Sequence, residues 1–262
     1  MQPISGGLCT ICGERLFSSH ALSPAGDDDE PRCGLCRRIE PPFARAIAYG
    51  SYDGGLRELI HLLKYAGVRP AANVLGRMLA EAIAELQPHF ADGHIADDQN
   101  ADDQNADDRI AVIPVPLYRA KLRRREFNHA EVIARAAIKL SPDTIRLRLC
   151  PDVLVRKRET PSQTGLTRHQ RRENVRGAFG VAQAEVVKGR EVLVVDDVYT
   201  TGATVSECAR VLRRAGATKV WVATVARTLK IAEQHVEIRL PDEADLEISG
   251  AQAVPLARAA GI

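Results

Sequence analysis

The chain has 262 residues, 45% of them hydrophobic and 27% charged, and a formal net charge of +2. It is long enough for one or two globular domains with a proper core, and the near-neutral balance points the whole molecule toward no particular partner. No stretch approaches the roughly 18 consecutive apolar residues of a membrane helix, and no basic segment followed by an apolar run opens the chain. The expectation is a cytoplasmic protein without membrane insertion.

Cys9-x-x-Cys12 and Cys33-x-x-Cys36 form two regular pairs twenty residues apart. Cytoplasmic cysteines are seldom disulfide-bonded, and two such pairs have the ligand spacing of a structural zinc ribbon. Gly13 and Gly34 beside the ligands suit tight turns. Four thiolates leave no open coordination position, so Zn2+ there would be structural; the alternative is four reduced, unligated cysteines. Ala44 to Tyr52 reads as a strand. Leu56, Leu59, Ile60 and Leu63 repeat at helical spacing in a helix ending near Gly67, and a second helix spans 71–87. Residues 92–108 repeat an Ala-Asp-Asp-Gln-Asn pentad and cannot bury a core, which predicts a disordered acidic loop.

Ile110 to Pro116 is a short apolar strand, followed by a helix at about 128–140 and a short strand at 153–155. Val192 to Val195 is an uninterrupted apolar run leading into a paired-acid loop. A helix at about 204–215 and a strand from Lys219 to Ala226 complete a βαβ crossover. The fold class is α/β: a parallel sheet flanked by helices, with a zinc-ribbon-like module over 1–43, a main domain over 44–230 and a C-terminal extension of unknown role over 231–262.

The chemistry concentrates in Val192-Leu-Val-Val-Asp196-Asp197-Val-Tyr199-Thr200-Thr201-Gly202-Ala203-Thr204. Ligands of open parallel sheets bind beyond the carboxyl ends of the strands. The start of the following helix offers unpaired N–H groups and a positive dipole end, which suits a phosphate. Gly202 permits close backbone approach, and the threonine hydroxyls donate hydrogen bonds. Two adjacent carboxylates can accept from vicinal sugar hydroxyls or hold a divalent cation. A lone Asp-Asp or Thr-Gly-x-Thr is as well explained by a helix cap and solvated aspartates. The thirteen residues together specify a sugar phosphate.

Basic residues are gathered in two segments. Arg119 to Arg125 holds five, and Arg156 to Arg176 holds seven against Glu159 and Glu173. Guanidinium forks make bidentate phosphate contacts, and a basic loop at Arg156, Lys157 and Arg158 would stabilise charge on a leaving group and exclude water. For Arg168, Arg171 and Arg172 a solvated helix face is an equal alternative. His61, His129 and His169 sit in helical context, where surface or packing roles are expected, and Cys208 lies on the apolar face of its helix.

Residues 192–204 resemble the phosphoribosyl pyrophosphate (PRPP) signature of type I phosphoribosyltransferases. Three further segments are similar to the ComF family: Pro114-Val115-Pro116-Leu117 with Arg125-x-Phe127-Asn128; Arg156-x-Arg158-x-Thr160-x-x-Gln163; and Arg172-x-Asn174-Val175-x-Gly177-Ala178-Phe179. The paired cysteines and Leu63-Lys64-Tyr65-x-Gly67 fit the same family, so the resemblance covers residues 9 to about 228 outside the acidic segment. It implies that Asp196 and Asp197 hold the ribose hydroxyls and that Tyr199, Thr200, Thr201, Gly202, Ala203 and Thr204 cradle the 5′-phosphate. It also implies that Pro114, Val115 and Pro116 form the pyrophosphate loop and that Mg2+ accompanies PRPP. The expected reaction is phosphoribosyl transfer to an unidentified acceptor with release of pyrophosphate. Two alternatives stand beside it. One is a non-catalytic accessory protein of DNA uptake that binds single-stranded DNA; the other is a PRPP-sensing regulator.

Overall fold

The computed structural model describes residues 3–4, 6–17, 30–90, 109–141, 146–161 and 165–229. The acidic segment 92–108, Gln163 and the extension 231–262 lie outside the described residues. Five strands form one parallel sheet: β1 (Arg45–Ser51), β2 (Ile110–Pro114), β3 (Leu147–Leu149), β6 (Glu191–Tyr199) and β7 (Lys219–Arg227), in the order β1-β7-β6-β2-β3. A separate antiparallel pair joins β4 (Leu154–Arg156) to β5 (Phe179–Val181).

The apolar run in β6 lies in the middle of the sheet, and its period of two divides the core. Val192 and Val194 share one cluster with Val220, Val222 and Leu212; Leu193 and Val195 share the other with Trp221, Leu79 and Ile133. Helix α2 (Gly54–Tyr65), α3 (Ala71–Leu86) and α5 (His129–Leu140) contribute to the second cluster, whereas α7 (Ala203–Arg214) and the N-terminal cysteines belong to the first. Helices α3 and α5 approach at Gly76, where a Cβ would stand 2.4 Å from the Ala136 methyl, so only glycine fits that crossing. At the edge, β1 is covered by the N-terminal segment through Ile4 N–H to Tyr49 O and Ala46 N–H to Ile11 O. That contact shields an otherwise open strand.

Strand order also places the site. From β2 the chain crosses by α5 to β3, and from β6 it crosses by α7 to β7 on the opposite side. The crevice between β2 and β6 is therefore a topological switch point, where open α/β sheets bind ligands. The expected boundary of β6 needs correction. The apolar run ends at Val195, but the strand continues through both aspartates to Tyr199, paired with β7 as Asp196↔Thr224, Val198↔Ala226 and Tyr199↔Arg227. On its other side β2 stops at Pro114, with Val115 N–H to Val195 O as the last bond. Pro116 has no N–H to continue that ladder. The acids thus lie on strand, not loop, beside an opening left by β2.

The basic segments contain helices that hydrophobic periodicity does not reveal, α4 (Arg119–Arg125) and α6 (Arg168–Val175). A capping box starts α6: Thr167 Oγ1 accepts from Gln170 N–H, and the Gln170 side chain accepts from Thr167 N–H. A short helix, α1 (Gly34–Arg38), carries Cys36.

Candidate functional site

A cavity of about 740 Å³ opens at the carboxyl ends of β2 and β6. Its walls come from six places: the last turn of α2 (Lys64, Tyr65), α4 (Lys121, Arg125), the start of α5 (Asn128, His129), β4 (Arg156), α6 (Arg168, Arg171) and β6 with its loop (Asp196, Asp197, Thr200, Thr201, Thr204). Six Lys or Arg side chains thus face Glu14, Asp196 and Asp197. A cavity of this size and charge suits a small polyanion that also presents groups to the two acids.

Lys64 is the contact that sequence alone did not single out. Its Nζ lies 2.8 Å from Asp197 Oδ1, and both side chains are largely buried. Burial works to lower the Lys64 pKa, but the charge and hydrogen bond of Asp197, with Asp196 nearby, raise it overall. Asp196 accepts the Asp197 backbone N–H at 2.9 Å. Burial first and the adjacent Asp197 charge second push the Asp196 carboxyl up to about 7, although Lys64 opposes them.

The loop that follows β6 meets α7 at Gly202, which caps the helix with φ 76°. A Cβ there would meet Tyr199 Oη at 2.3 Å in a left-handed conformation, so the position requires glycine. Among the described residues, Thr201 Oγ1 is buried without a hydrogen-bond partner, as are Arg156 Nε and His129 Nε2. All three residues line the cavity. Buried polar atoms are normally satisfied, so three orphans around one cavity are what a hydrogen-bonding ligand would complete. His129 is 2% exposed, and burial lowers its pKa to about 4, leaving a neutral imidazole. Burial, then Arg125 and Arg156, lowers the pKa of Lys121. At the start of α5, Asn128 accepts from Ala130 N–H and donates to Val115 O at 3.1 Å, tying the helix to the end of β2.

The expected site residues separate into two groups. Asp196, Asp197, Thr200, Thr201, Thr204, Val115 and Arg156 line the cavity, and the Arg156 guanidinium lies 5.2 Å from the centre of the Phe179 ring. Pro114, Pro116, Tyr199, Gly202 and Ala203 are not among its lining residues; Tyr199 and Ala203 line a second cavity. Lys157 and Arg158 do not line it either. Alternation along the strand turns Lys157 over Gly180, and Arg158 donates to Asn174 O at 2.9 Å and Arg176 O at 2.7 Å, at the carboxyl end of α6.

The four paired cysteines converge as their spacing predicts. Their sulfurs lie within 4.8 Å of one another, with Cys12 and Cys33 at 3.7 Å. A tetrahedral zinc–thiolate centre with bonds of about 2.3 Å has sulfur edges of about 3.8 Å, so the donor set fits. The turn from Cys9 is closed by Gly13 N–H to Cys9 O and Cys9 N–H to Glu14 O, both 2.8 Å, and Cys33 caps α1. Cys208 is fully buried in the core, as expected. Among the described residues, no helix is long and apolar enough to cross a membrane.

A family profile described as phosphoribosyl transferase domain matches residues 130–248. DNA utilization protein YhgH of Escherichia coli K12 is 28% identical over 227 residues, covering 85% of this chain and 91% of that protein. The YhgH protein of Salmonella typhi is 28% identical over 228 residues, with the same two coverages of 85% and 91%. Competence protein F of Haemophilus influenzae is 27% identical over 225 residues, covering 84% of this chain and 90% of that protein.

Proposed function

The chain belongs to the ComF family of type I phosphoribosyltransferase fold, and from that premise we propose that it binds Mg2+-PRPP in the cavity between β2 and β6 and transfers the phosphoribosyl group to an acceptor. The observation that carries this reading is the joint placement of two carboxylates, a threonine-rich helix start and six cations around one cavity. Asp196 and Asp197 accept hydrogen bonds from the ribose hydroxyls. Thr200, Thr201 and Thr204, with the first amides of α7, hold the 5′-phosphate. Arg156, Lys121 and Arg125 lie on the far wall to receive the pyrophosphate, and Lys157 and Arg158 brace the β4 hairpin that presents Arg156. Asp196 and Asp197 would offer Mg2+ hard oxygen donors, and the ion would supply charge neutralisation on the pyrophosphate. The C1′–O bond breaks with its electron pair leaving on pyrophosphate, and the acceptor's lone pair forms the new bond at C1′. Cations fixed around the cavity favour that charge build-up.

Zn2+ at Cys9, Cys12, Cys33 and Cys36 is structural in this reading. The test is incubation of the metal-loaded protein with Mg2+-PRPP and pools of nitrogen acceptors, scored by pyrophosphate release. Release above an Asp196→Asn/Asp197→Asn control supports transfer. Binding without release leaves a PRPP sensor.

A second reading is an accessory role in handling DNA, favoured by the names of the relatives and by the exposed arginines of α4 and α6. It predicts single-stranded DNA affinity that falls steeply with salt and survives the double aspartate substitution.

A further inference from the structure

Arg227 ends β7 opposite Tyr199 and is 3% exposed, yet it does not line the ligand cavity. Its guanidinium donates to the Cys12 carbonyl, pairs with Glu14 Oε2 at 3.3 Å and lies 4.7 Å from the centre of the Tyr199 ring. The Cys9–Cys12 turn is seated directly on it: a Cβ on Gly13 would stand 3.3 Å from Arg227 Nη1. On the other side, Tyr199 Oη fills the space where a Gly202 Cβ would be. A single line of contacts therefore runs from the cysteine turn through Arg227 and Tyr199 to Gly202, the cap of α7.

A buried guanidinium is strongly disfavoured without partners, and both of its polar partners belong to the cysteine turn. That turn is ordered by whatever holds its thiolates together, because metal binding and local folding are one equilibrium in such sites. Loss of the metal would release the Cys12 carbonyl and Glu14 from Arg227, and Tyr199 would lose its cation. The back of the phosphate loop would then be unsupported. We infer that Arg227 is a positioning residue that couples metal occupancy of the four-cysteine site to the conformation of the phosphate loop, so that metal loading sets the affinity for the 5′-phosphate. The coupling is reciprocal: ligand binding must tighten metal retention by the same factor. The affinity part rests on the phosphate-site reading above; the conformational part does not.

Two measurements on the full chain separate those parts. Calorimetry with ribose 5-phosphate is run on metal-loaded and chelator-treated wild type, Arg227→Met and Arg227→Lys, with bound zinc quantified in each. Hydrogen exchange of the amides at 199–204 is followed in the same samples without ligand. In wild type, chelation lowers affinity about tenfold, within the usual range for coupled sites, and speeds loop exchange while the amides of 192–195 stay protected. Loaded Arg227→Met shows the same loss and fast exchange, and chelation adds less than twofold; Arg227→Lys restores part of the coupling. If Arg227→Met does not fold, Tyr199→Leu interrupts the same line while leaving Arg227 with Cys12 and Glu14, and the same pattern is expected. Loop exchange that is identical with and without metal in wild type overturns the inference, as does wild-type loop protection in a loaded interrupted variant. Loss of protection across the whole sheet on chelation also overturns it, since the metal would then hold the entire fold. Absence of ribose 5-phosphate binding by loaded wild type removes the ligand reading alone, and loop exchange decides the coupling.

Discussion

The loop from Thr200 to Thr204 separates two cavities of opposite character. In front lies the cavity of about 740 Å³ with six cations, three acids and three orphaned polar atoms. Behind lies one of about 330 Å³ whose surface is mainly apolar, from residues such as Leu35, Ile39, Phe43, Val175 and Tyr199, with Glu40, Arg172, Glu207 and Arg210 also in its lining. Thr201 lines both. The front is a surface of unmet charge and hydrogen-bonding demand, whereas the back is apolar packing joined to the core of the sheet. Substitutions in front should alter ligand binding with little loss of stability, and those behind should do the reverse.

The largest effect is expected behind the loop. Leu212 on α7 is fully buried in the cluster that contains Tyr199 and Ala203. Leu212→Ala should cost about 3 kcal/mol in urea unfolding, with PRPP affinity of the folded fraction unchanged. A large affinity loss there would break the division. Gly202→Ala strikes both sides, since its Cβ collides with Tyr199 at positive φ. It should cost on the order of 1–3 kcal/mol and also weaken phosphate binding.

Lys64→Met probes the front alone. Removing Lys64 leaves the acidic pair without its nearest cation, so the pH below which PRPP binding fails should rise by roughly one unit; Lys64→Arg should move it less. The sign for stability follows from Asp196, whose folded value of about 7 exceeds the ordinary 3.8. The folded chain holds that proton more tightly, so the contribution is present below about pH 4 and is lost as pH rises through 7. Thermal melts across that window check it. The smallest effect lies away from both cavities: Glu126 ends α4 with φ 66°, the one positive φ among described non-glycine residues. Glu126→Gly should gain about 0.5–1 kcal/mol without touching affinity.

Legibility in the sequence followed the same physical division. Buried strands and amphipathic helices such as α2, α3, α5 and α7 write their burial as apolar periodicity, and the bounds of these helices were readable within a residue or two, whereas β6 runs four residues past its apolar run. The helices α4 and α6 bury little and carry no such signal; β5 is three residues long and exists through its pairing with β4, which was expected at 153–155 and lies one residue later. In the site, the acids and threonines were legible because their chemistry is contiguous in sequence. Lys64 was not, since a lysine in the last turn of a helix ordinarily complements the helix dipole. Only the topology brings that turn to Asp197, 133 residues away. Arg156, Lys157 and Arg158 read as one basic lid, but the two-residue period of an extended chain sends Lys157 to the side opposite Arg156, and the carbonyls of Asn174 and Arg176 hold Arg158.

The central claim is that the acidic pair and the phosphate loop form one PRPP site, and calorimetric titration of Mg2+-PRPP into wild type and Asp196→Asn/Asp197→Asn tests it most directly. Saturable binding to wild type, weakened at least about a hundredfold in a double variant with unchanged circular dichroism and zinc content, is the expected result. Equal affinity in the two proteins, or no binding to a folded and zinc-loaded wild type, would contradict it.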